Sequence, residues 1–171
     1  FPMVDFETGE PTGTSQTELG AYLAGLLGQA GKKAEGDDFL ASYTEMQQAW
    51  TIIPESIDVT TRQPRTKRTG LRPEYPDACL NLWLGDRDER YRALSAIHYR
   101  NMKATSRAAF GYTALADITA RPMVQGDNCP GYWWSEQMKY YWLLFSNCRR
   151  VDYSQLQLST EANVLRGFVR V

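Results

Sequence analysis

Apolar residues in this chain return at intervals of three and four, in separate blocks that pair off along the sequence. Leu19, Tyr22, Leu23, Leu26 and Leu27 fall at i, i+3, i+4, i+7 and i+8, the spacing of a helix with one core-facing stripe, closing near Gly28 and Gly31. Asp37 or Asp38 can cap a second helix that runs to about Trp50, with Phe39, Leu40, Tyr43, Met46 and Trp50 on its apolar side. Gly70-Leu71-Arg72-Pro73-Glu74 opens a third. Proline suits its first turn, where a backbone N–H would have no partner anyway. That helix reaches Gly85-Asp86. Asp88 then opens a fourth, to about Arg107, with Tyr91, Leu94, Ile97, His98 and Met102 on one stripe. Tyr132 to Phe145 is a fifth, very aromatic helix.

Between the helices the pattern changes. Val4 to Gly9 reads as an extended piece ending in a turn, inside an N-terminal loop from Phe1 to Thr17. Thr51-Ile52-Ile53-Pro54-Glu55 breaks the helical pattern, and Arg62 to Arg68 reads as a basic, solvated connection. Phe110 to Ile118 suggests a strand or hairpin arm, and Leu156 to Thr160 alternates like a strand. The loops that end the helix pairs carry acids: Glu55, then Glu74, then Glu136 and Glu161. Helix pairs with carboxylates at their connecting ends suggest an α/α barrel or toroid, which places loop ends around a central cavity. Five helices are too few to close such a ring, so the expectation is that more chain exists elsewhere. The absence of an initiator Met fits a processed or excerpted chain.

Composition narrows the function. Nineteen basic against twenty acidic residues give a net charge of -1, so charge offers no case for a nucleic-acid partner. No apolar run approaches the ~20 residues of a membrane span. With three cysteines, one histidine and no CxxC spacing, a structural zinc site is excluded. Cys129 and Cys148 bracket the fifth helix, whose ends stand about 20 Å apart. A disulfide needs Cα atoms within about 7 Å, so these two are not expected to pair. Cys79 reads as a buried thiol, and His98 as a packing residue.

The acids carry the chemistry. Glu74 follows Arg72 at a helix N-terminus, where the helix dipole and the guanidinium both favour an ionised carboxylate poised to accept a proton. Asp77 lies three residues on, on the same face. Glu136 lies among Tyr132, Trp133 and Trp134, and Thr160-Glu161 follows a strand. Carboxylates mixed with aromatics are what glycosidic cleavage needs: one carboxyl protonates the leaving oxygen, and another activates water or attacks the sugar. Aromatic faces pack on the apolar side of a sugar, although the first reading of five Trp and ten Tyr is a helix-packed core. A threonine oxygen beside acids can help hold a hard cation such as Ca2+.

The order of these motifs resembles a known family. Gly70-Leu71-Arg72-Pro73-Glu74 is followed by Tyr132-Trp133-Trp134-Ser135-Glu136, by Lys139-Tyr140-Tyr141-Trp142-Leu143-Leu144-Phe145, and by Ser159-Thr160-Glu161-Ala162-Asn163. This is similar to the C-terminal part of the class I α-1,2-mannosidases of glycoside hydrolase family 47, whose pattern is L-R-P-E, E-S-F-x-x-x-E, K-Y-x-x-L-L-F and T-E-A-H. Val4-Asp5 through Thr8-Gly9, Leu19 to Leu26, and Ile53-Pro54-Glu55 fit as well, most like the branch of ER degradation-enhancing mannosidase-like proteins. The resemblance implies a mainly α fold: part of an (α/α)7 barrel with short β-hairpin pieces at the loop end. Residues 1–171 would form the C-terminal portion of one catalytic domain, with the upstream part of the same barrel outside this chain.

The resemblance also implies roles. Glu74 matches the carboxylate that activates water, and Arg72 the arginine on the reacting sugar. Glu55 and Asp77 match further cavity acids, Asp77 being one methylene shorter than the usual Glu. Tyr132 matches the aromatic that stacks on mannose, and Glu136 the acid that binds sugar hydroxyls. Thr160 matches the Ca2+ ligand, through its hydroxyl and carbonyl, and Glu161 the acid beside it. The implied cofactor is Ca2+, and the implied reaction is inverting hydrolysis of terminal α-1,2-linked mannose from a high-mannose N-glycan on a glycoprotein, in the endoplasmic reticulum lumen or secretory pathway. Cysteine partners there would lie upstream or on a protein disulfide isomerase-type oxidoreductase. Two positions depart from the pattern. Cys129-Pro130-Gly131 stands where the family has M-E-S, and Asn163 replaces the histidine of T-E-A-H. The family's general acid lies upstream, so the isolated chain is expected not to hydrolyse mannosides. The other readings are a mannose-glycan-binding, lectin-like module without turnover and a purely structural helical domain.

Overall fold

The computed structural model describes residues 3–153 and 156–166. Phe1 and Pro2, which begin the expected N-terminal loop, lie outside the described residues. Five helices carry the fold: α1 (Tyr22–Gln29), α2 (Lys33–Trp50), α3 (Glu74–Asp86), α4 (Glu89–Ser106) and α5 (Met138–Phe145). The short strands pair as four antiparallel ribbons: β1 (Ser15–Thr17) with β2 (Ser56–Asp58), β3 (Arg107–Ala108) with β4 (Gly111–Tyr112), β5 (Leu115–Asp117) with β6 (Val124–Gln125), and β7 (Leu156–Leu158) with β8 (Val164–Arg166).

Helices α1, α3 and α5 stand side by side in one row. Helix α2 backs α1, and α4 backs α3. The core between the rows holds Leu40, Tyr43, Tyr75, Ala78, Cys79, Leu82, Trp83, Tyr91, Leu143 and Leu144. A second cluster, under the loop end, gathers Ile52, Leu71, Met102, Leu115, Ile118, Trp133 and Tyr141. Burying one such large apolar side chain is worth about 1.5–3 kcal/mol, so the two clusters are what hold the rows together.

The sequence places α4 well. Asp88 is its N-cap and accepts from the Arg90 N–H. Helix α2 begins earlier than expected, at Lys33, and no side chain caps it. Asp37 instead bonds to the Lys33 ammonium and the Tyr91 hydroxyl. Helix α1 departs most. Glu18–Ala21 is a 3-10 turn, and Leu19, Tyr22 and Leu26 of the expected core stripe are 44–50% exposed. The buried face is the small one: Ala21, Ala24 and Gly25. The reason is close approach. A Cβ on Gly25 would sit 3.1 Å from the Cα of Ala78, and one on Gly36 would sit 2.7 Å from the Ala24 carbonyl oxygen. Backbones this near leave no room for leucines, so the leucines turn to the other side of the row.

His98 is a buried core residue, as expected. Its Nδ1 lies 2.6 Å from the Tyr141 hydroxyl, and burial lowers its pKa to about 4, so it is neutral. Cys79 is fully buried, burial pushes its thiol up, and the three cysteines form no disulfide with one another. No helix among the described residues is long and apolar enough to cross a membrane.

Candidate active site

The leucines displaced from the core line a cavity. Leu19, Tyr22 and Leu26 from the α1 side, Glu74, Asp77 and Asn81 of α3, Glu136, Lys139 and Tyr140 at α5, and Gln157, Leu158 and Thr160 of the β7 arm enclose about 580 Å3. Nothing from α2 or α4 reaches it. One row of helices therefore has a structural back and an acidic front. Of the residues singled out in the sequence, Glu74, Asp77, Glu136 and Thr160 share this cavity.

Glu74 is the first residue of α3, with Pro73 as N-cap. The preceding Leu71 is left-handed, with φ of 58°, so the chain turns sharply before the helix starts. The expectation of an ionised, low-pKa Glu74 is not met. Burial raises it to about 7, and Asp77 and Glu55 push the same way, against its own backbone N–H and Arg72. Arg72 does not pair with Glu74. Its Nε and Nη2 both donate to Oε1 of Glu55, at 2.9 and 2.5 Å. One oxygen of Glu74 is buried without a protein partner. Near neutral pH Glu74 therefore exchanges a proton readily, which suits a group that takes one from water.

The Arg72–Glu55 pair is boxed in. The Tyr132 hydroxyl donates to the Gly70 carbonyl at 2.7 Å, and the Arg72 guanidinium lies 5.2 Å from the centre of the Tyr132 ring. A Cβ on Gly70 would come within 3.0 Å of the Tyr132 hydroxyl and 3.1 Å of Glu55 Oε2. Any larger residue there would have to push the Tyr132 hydroxyl or the Glu55 carboxylate aside. Gln137 Nε2 donates to the Arg72 carbonyl and to the Tyr141 hydroxyl, both at 3.2 Å. Since Tyr141 also meets His98, a buried chain of polar contacts runs from α4 to the Arg72 backbone.

Trp133–Gln137 is a π-helical turn ahead of α5. The wider turn lets Glu136 and Lys139 both face the cavity while Gln137 reaches Arg72. Burial raises Glu136 to about 7, and the carboxylate of Glu161 adds to it. Asp77 rises to about 6 through burial, although Lys139, Tyr140 and Asn81 all counter it. Glu161 and Thr160 are exposed, and Ser135 donates to Glu161 at 2.8 Å. Trp134, which the sequence groups with Tyr132 and Glu136, is 64% exposed and does not line the cavity.

The sequence assigns no role to two functional-looking residues, although Lys139 opens the motif that runs into α5. Lys139, 7% exposed, donates to the carbonyls of Ser159 and Thr160 at 2.7 Å each and so ties the β7–β8 turn to α5. Glu18, 3% exposed, accepts from the Thr69 hydroxyl at 3.1 Å. Its position becomes visible only through the β1–β2 pairing, and β2 itself leaves no clear sequence signal. At Thr160 a hard cation would find a solvent-facing residue and a carbonyl with one lone pair left beside Lys139. Acids surround it. Those donors fit part of the six to eight oxygens of a Ca2+ shell, with water and sugar hydroxyls supplying the remainder.

A helical row with a cavity lined by Glu74, Asp77 and Glu136, and with the Arg72–Glu55 pair and the Tyr132 ring next to it, presents the mix of carboxylates and aromatics that glycosidic cleavage needs. A family model described as glycosyl hydrolase family 47 matches residues 4–167, and the chain belongs to that family. Curated relatives include a mannosyl-oligosaccharide 1,2-alpha-mannosidase of Candida albicans, 26% identical over 116 residues, covering 62% of this chain and 20% of the relative. Another is mannosyl-oligosaccharide alpha-1,2-mannosidase IA of Drosophila melanogaster, 25% identical over 129 residues, covering 75% of this chain and 19% of the relative. The structure superposes on an alpha-1,2-mannosidase from Trichoderma reesei with a TM-score of 0.76 at 19% identity, over 92% of this chain and 40% of that one. The fold is that of part of the (α/α)7 barrel, mainly helical with short β-hairpins. The chain spans about a fifth of the length of the curated relatives it matches.

Proposed function

We propose that this chain is the C-terminal portion of an inverting α-1,2-mannosidase domain and contributes the water-activating side of its cavity. The observation that carries this reading is the meeting of Glu74, Asp77, Glu136 and Thr160 in one cavity that neither α2 nor α4 reaches. Glu74 takes the proton from the attacking water, its value near 7 matching that task. Arg72, held by Glu55, and Glu136 bind hydroxyls of the terminal mannose, and Tyr132 offers its ring to the sugar face. Lys139 keeps the Thr160 carbonyl and the neighbouring Glu161 in place. Bound Ca2+, held at Thr160, would supply a positive charge that fixes vicinal sugar hydroxyls.

Inverting hydrolysis needs a second carboxyl as general acid, and the family resemblance assigns it to the part of the barrel outside residues 1–171. The substrate is terminal α-1,2-linked mannose on a high-mannose N-glycan. The setting is the secretory pathway, in glycoprotein quality control of the ER degradation-enhancing type. A protein disulfide isomerase-type oxidoreductase is a partner for the exposed Cys129.

The test is release of mannose from a mannose-rich oligosaccharide by the protein carrying the complete barrel. Release that stops on chelation and in Glu74→Gln is the expected result. Binding without release would make the protein a glycan-binding module instead. Turnover by residues 1–171 alone, above a Glu74→Gln control, would refute the division of labour.

A further inference from the structure

Beyond the residues that motifs mark, a third carboxyl stands at the arginine of the site. Strand β1 ends at Thr17, paired with Ser56, and the ladder runs on for one more bond: the Glu18 N–H donates to the Glu55 carbonyl at 3.1 Å. The pairing of two short strands thus delivers Glu18 and Glu55 to one place. Glu18 is almost wholly enclosed, and among the described residues its carboxylate accepts from the Thr69 hydroxyl. The groups that bear on it electrostatically, besides Thr69, are Glu55, Glu74 and Arg72. Around it also stand the phenols of Tyr43, Tyr132 and Tyr141. Among these the one cation is Arg72, and both its Nε and Nη2 are spent on Glu55. Oε2 of Glu55 and Oε2 of Glu74 are already buried without partners.

We propose that Glu18 is a positioning residue of the site, present as the neutral acid, whose lack of charge keeps Arg72 committed to Glu55 and leaves Glu74 free to take a proton. A buried carboxylate with one hydroxyl donor and two acid neighbours costs more than its protonated form. Burial, then Glu74 and Glu55, push its pKa well above the ordinary range, against Thr69 and Arg72. Were Glu18 ionised, three carboxylates would compete for one guanidinium. The bidentate grip on Glu55 would then loosen. The roles given to Arg72 and Glu74 rest on the mannosidase reading; the neutral state of Glu18 does not.

Two measurements on the full protein separate these parts. In infrared difference spectra taken near pH 9, where Glu74, Glu136 and Asp77, raised to about 7, 7 and 6, are ionised, the wild type still shows the carbonyl band of a buried carboxylic acid. That band is missing in Glu18→Gln and fades from the wild type under alkaline titration. The same band persisting in Glu18→Gln would overturn the neutral-acid assignment. In calorimetry with α-1,2-mannobiose, Glu18→Ala weakens binding about tenfold, as the Thr69 hydroxyl loses its acceptor. Glu18→Gln, neutral and of the same shape, recovers most of that loss and removes the alkaline fall in affinity that the wild type shows. A Glu18→Gln variant as weak as Glu18→Ala would mean that Glu18 works as a carboxylate, and the proposal fails. Wild-type protein that binds no mannobiose at any pH would sink the functional reading and the positioning role with it. The infrared band would still decide the state of Glu18.

Discussion

The two ends of α3 carry opposite kinds of charge cluster. At its C-terminal end Asp86 joins Asp37, Lys33, Arg90 and the Tyr91 hydroxyl. Lys33 bridges Asp37 and Asp86 at 2.7 and 3.2 Å, and Arg90 reaches Asp37 at 2.5 Å. Burial works to raise the Asp37 carboxyl, but Lys33, Tyr91 and Arg90 outweigh it and hold it below the usual range. At the N-terminal end, roughly 18 Å away along the helix, Glu74 meets Asp77, Glu55, Glu18 and Glu136 against Arg72 and Lys139. There the acids outnumber the cations, carboxyl oxygens of Glu55 and Glu74 are buried without partners among the described residues, and burial raises Glu74, Asp77 and Glu136. A balanced, half-exposed network serves the fold. An unbalanced, enclosed one stores unsatisfied bonding capacity, which is what a ligand with many hydroxyls can relieve.

Breaking the unbalanced end should cost function most. In the protein with the complete barrel, Glu74→Gln is expected to lower mannose release by about 10²–10⁴-fold, the range for a lost general base. Initial rates on a mannose-rich oligosaccharide measure it, and a fall of less than tenfold would remove Glu74 from that role. The same substitution should flatten part of the stability profile. A Glu74 raised from 4.5 to about 7 adds stability that is full below 4.5 and lost as pH rises through 7. The amount is on the order of 3 kcal/mol, and chemical denaturation between pH 5 and 8 reads it. Asp37 carries the opposite sign. Its contribution is present above 3.8 and is lost as pH falls through its lowered value.

Next in size comes Lys139→Met. It strips the donor from two carbonyls and the counter-charge from Asp77 and Glu136, at a cost of about 1.5–3 kcal/mol. Limited proteolysis should then cut faster in the β7–β8 turn; unchanged protection would mean that the ribbon holds itself. Asp37→Ala, at the balanced end, should cost about 1–2 kcal/mol, reduced by the solvent around Lys33 and Arg90, and should leave mannose release intact. A loss of release with no loss of stability would erase the distinction between the two ends. The smallest effect belongs to Tyr132→Phe, which loses one hydrogen bond to Gly70, about 1 kcal/mol, while keeping the ring under Arg72.

Much of the scaffold is legible in the sequence. Asp88 caps α4, Pro73 sits at the start of α3, and Tyr91, His98 and Met102 of the α4 stripe are buried as their spacing requires, whereas Leu94 is half-buried and Ile97 of the same stripe is exposed. Local rules suffice there because capping and helical period involve neighbours in sequence. The α1 stripe could not be read the same way. Leu19, Tyr22 and Leu26 have the right period, but a period says that a helix has two faces, not which face meets the next helix. Gly25, Gly28 and Gly36 decide that, through contacts with Ala24, Ala78 and Leu82 that no local pattern records.

The site divides along the same line. The sequence by itself determined that helices come in pairs, that Glu74, Asp77, Glu136 and Thr160 stand near helix or strand ends, and that their order matches a family of glycoside hydrolases. Tertiary structure alone decided that Arg72 grips Glu55 instead of Glu74, that Lys139 clasps the Thr160 carbonyl, and that Glu18 is a member of the cluster at all. Electrostatics explains the difference. A carboxyl's state depends on its burial and on every charge within several ångströms, and those neighbours are brought together by strand pairing and helix packing across long stretches of chain.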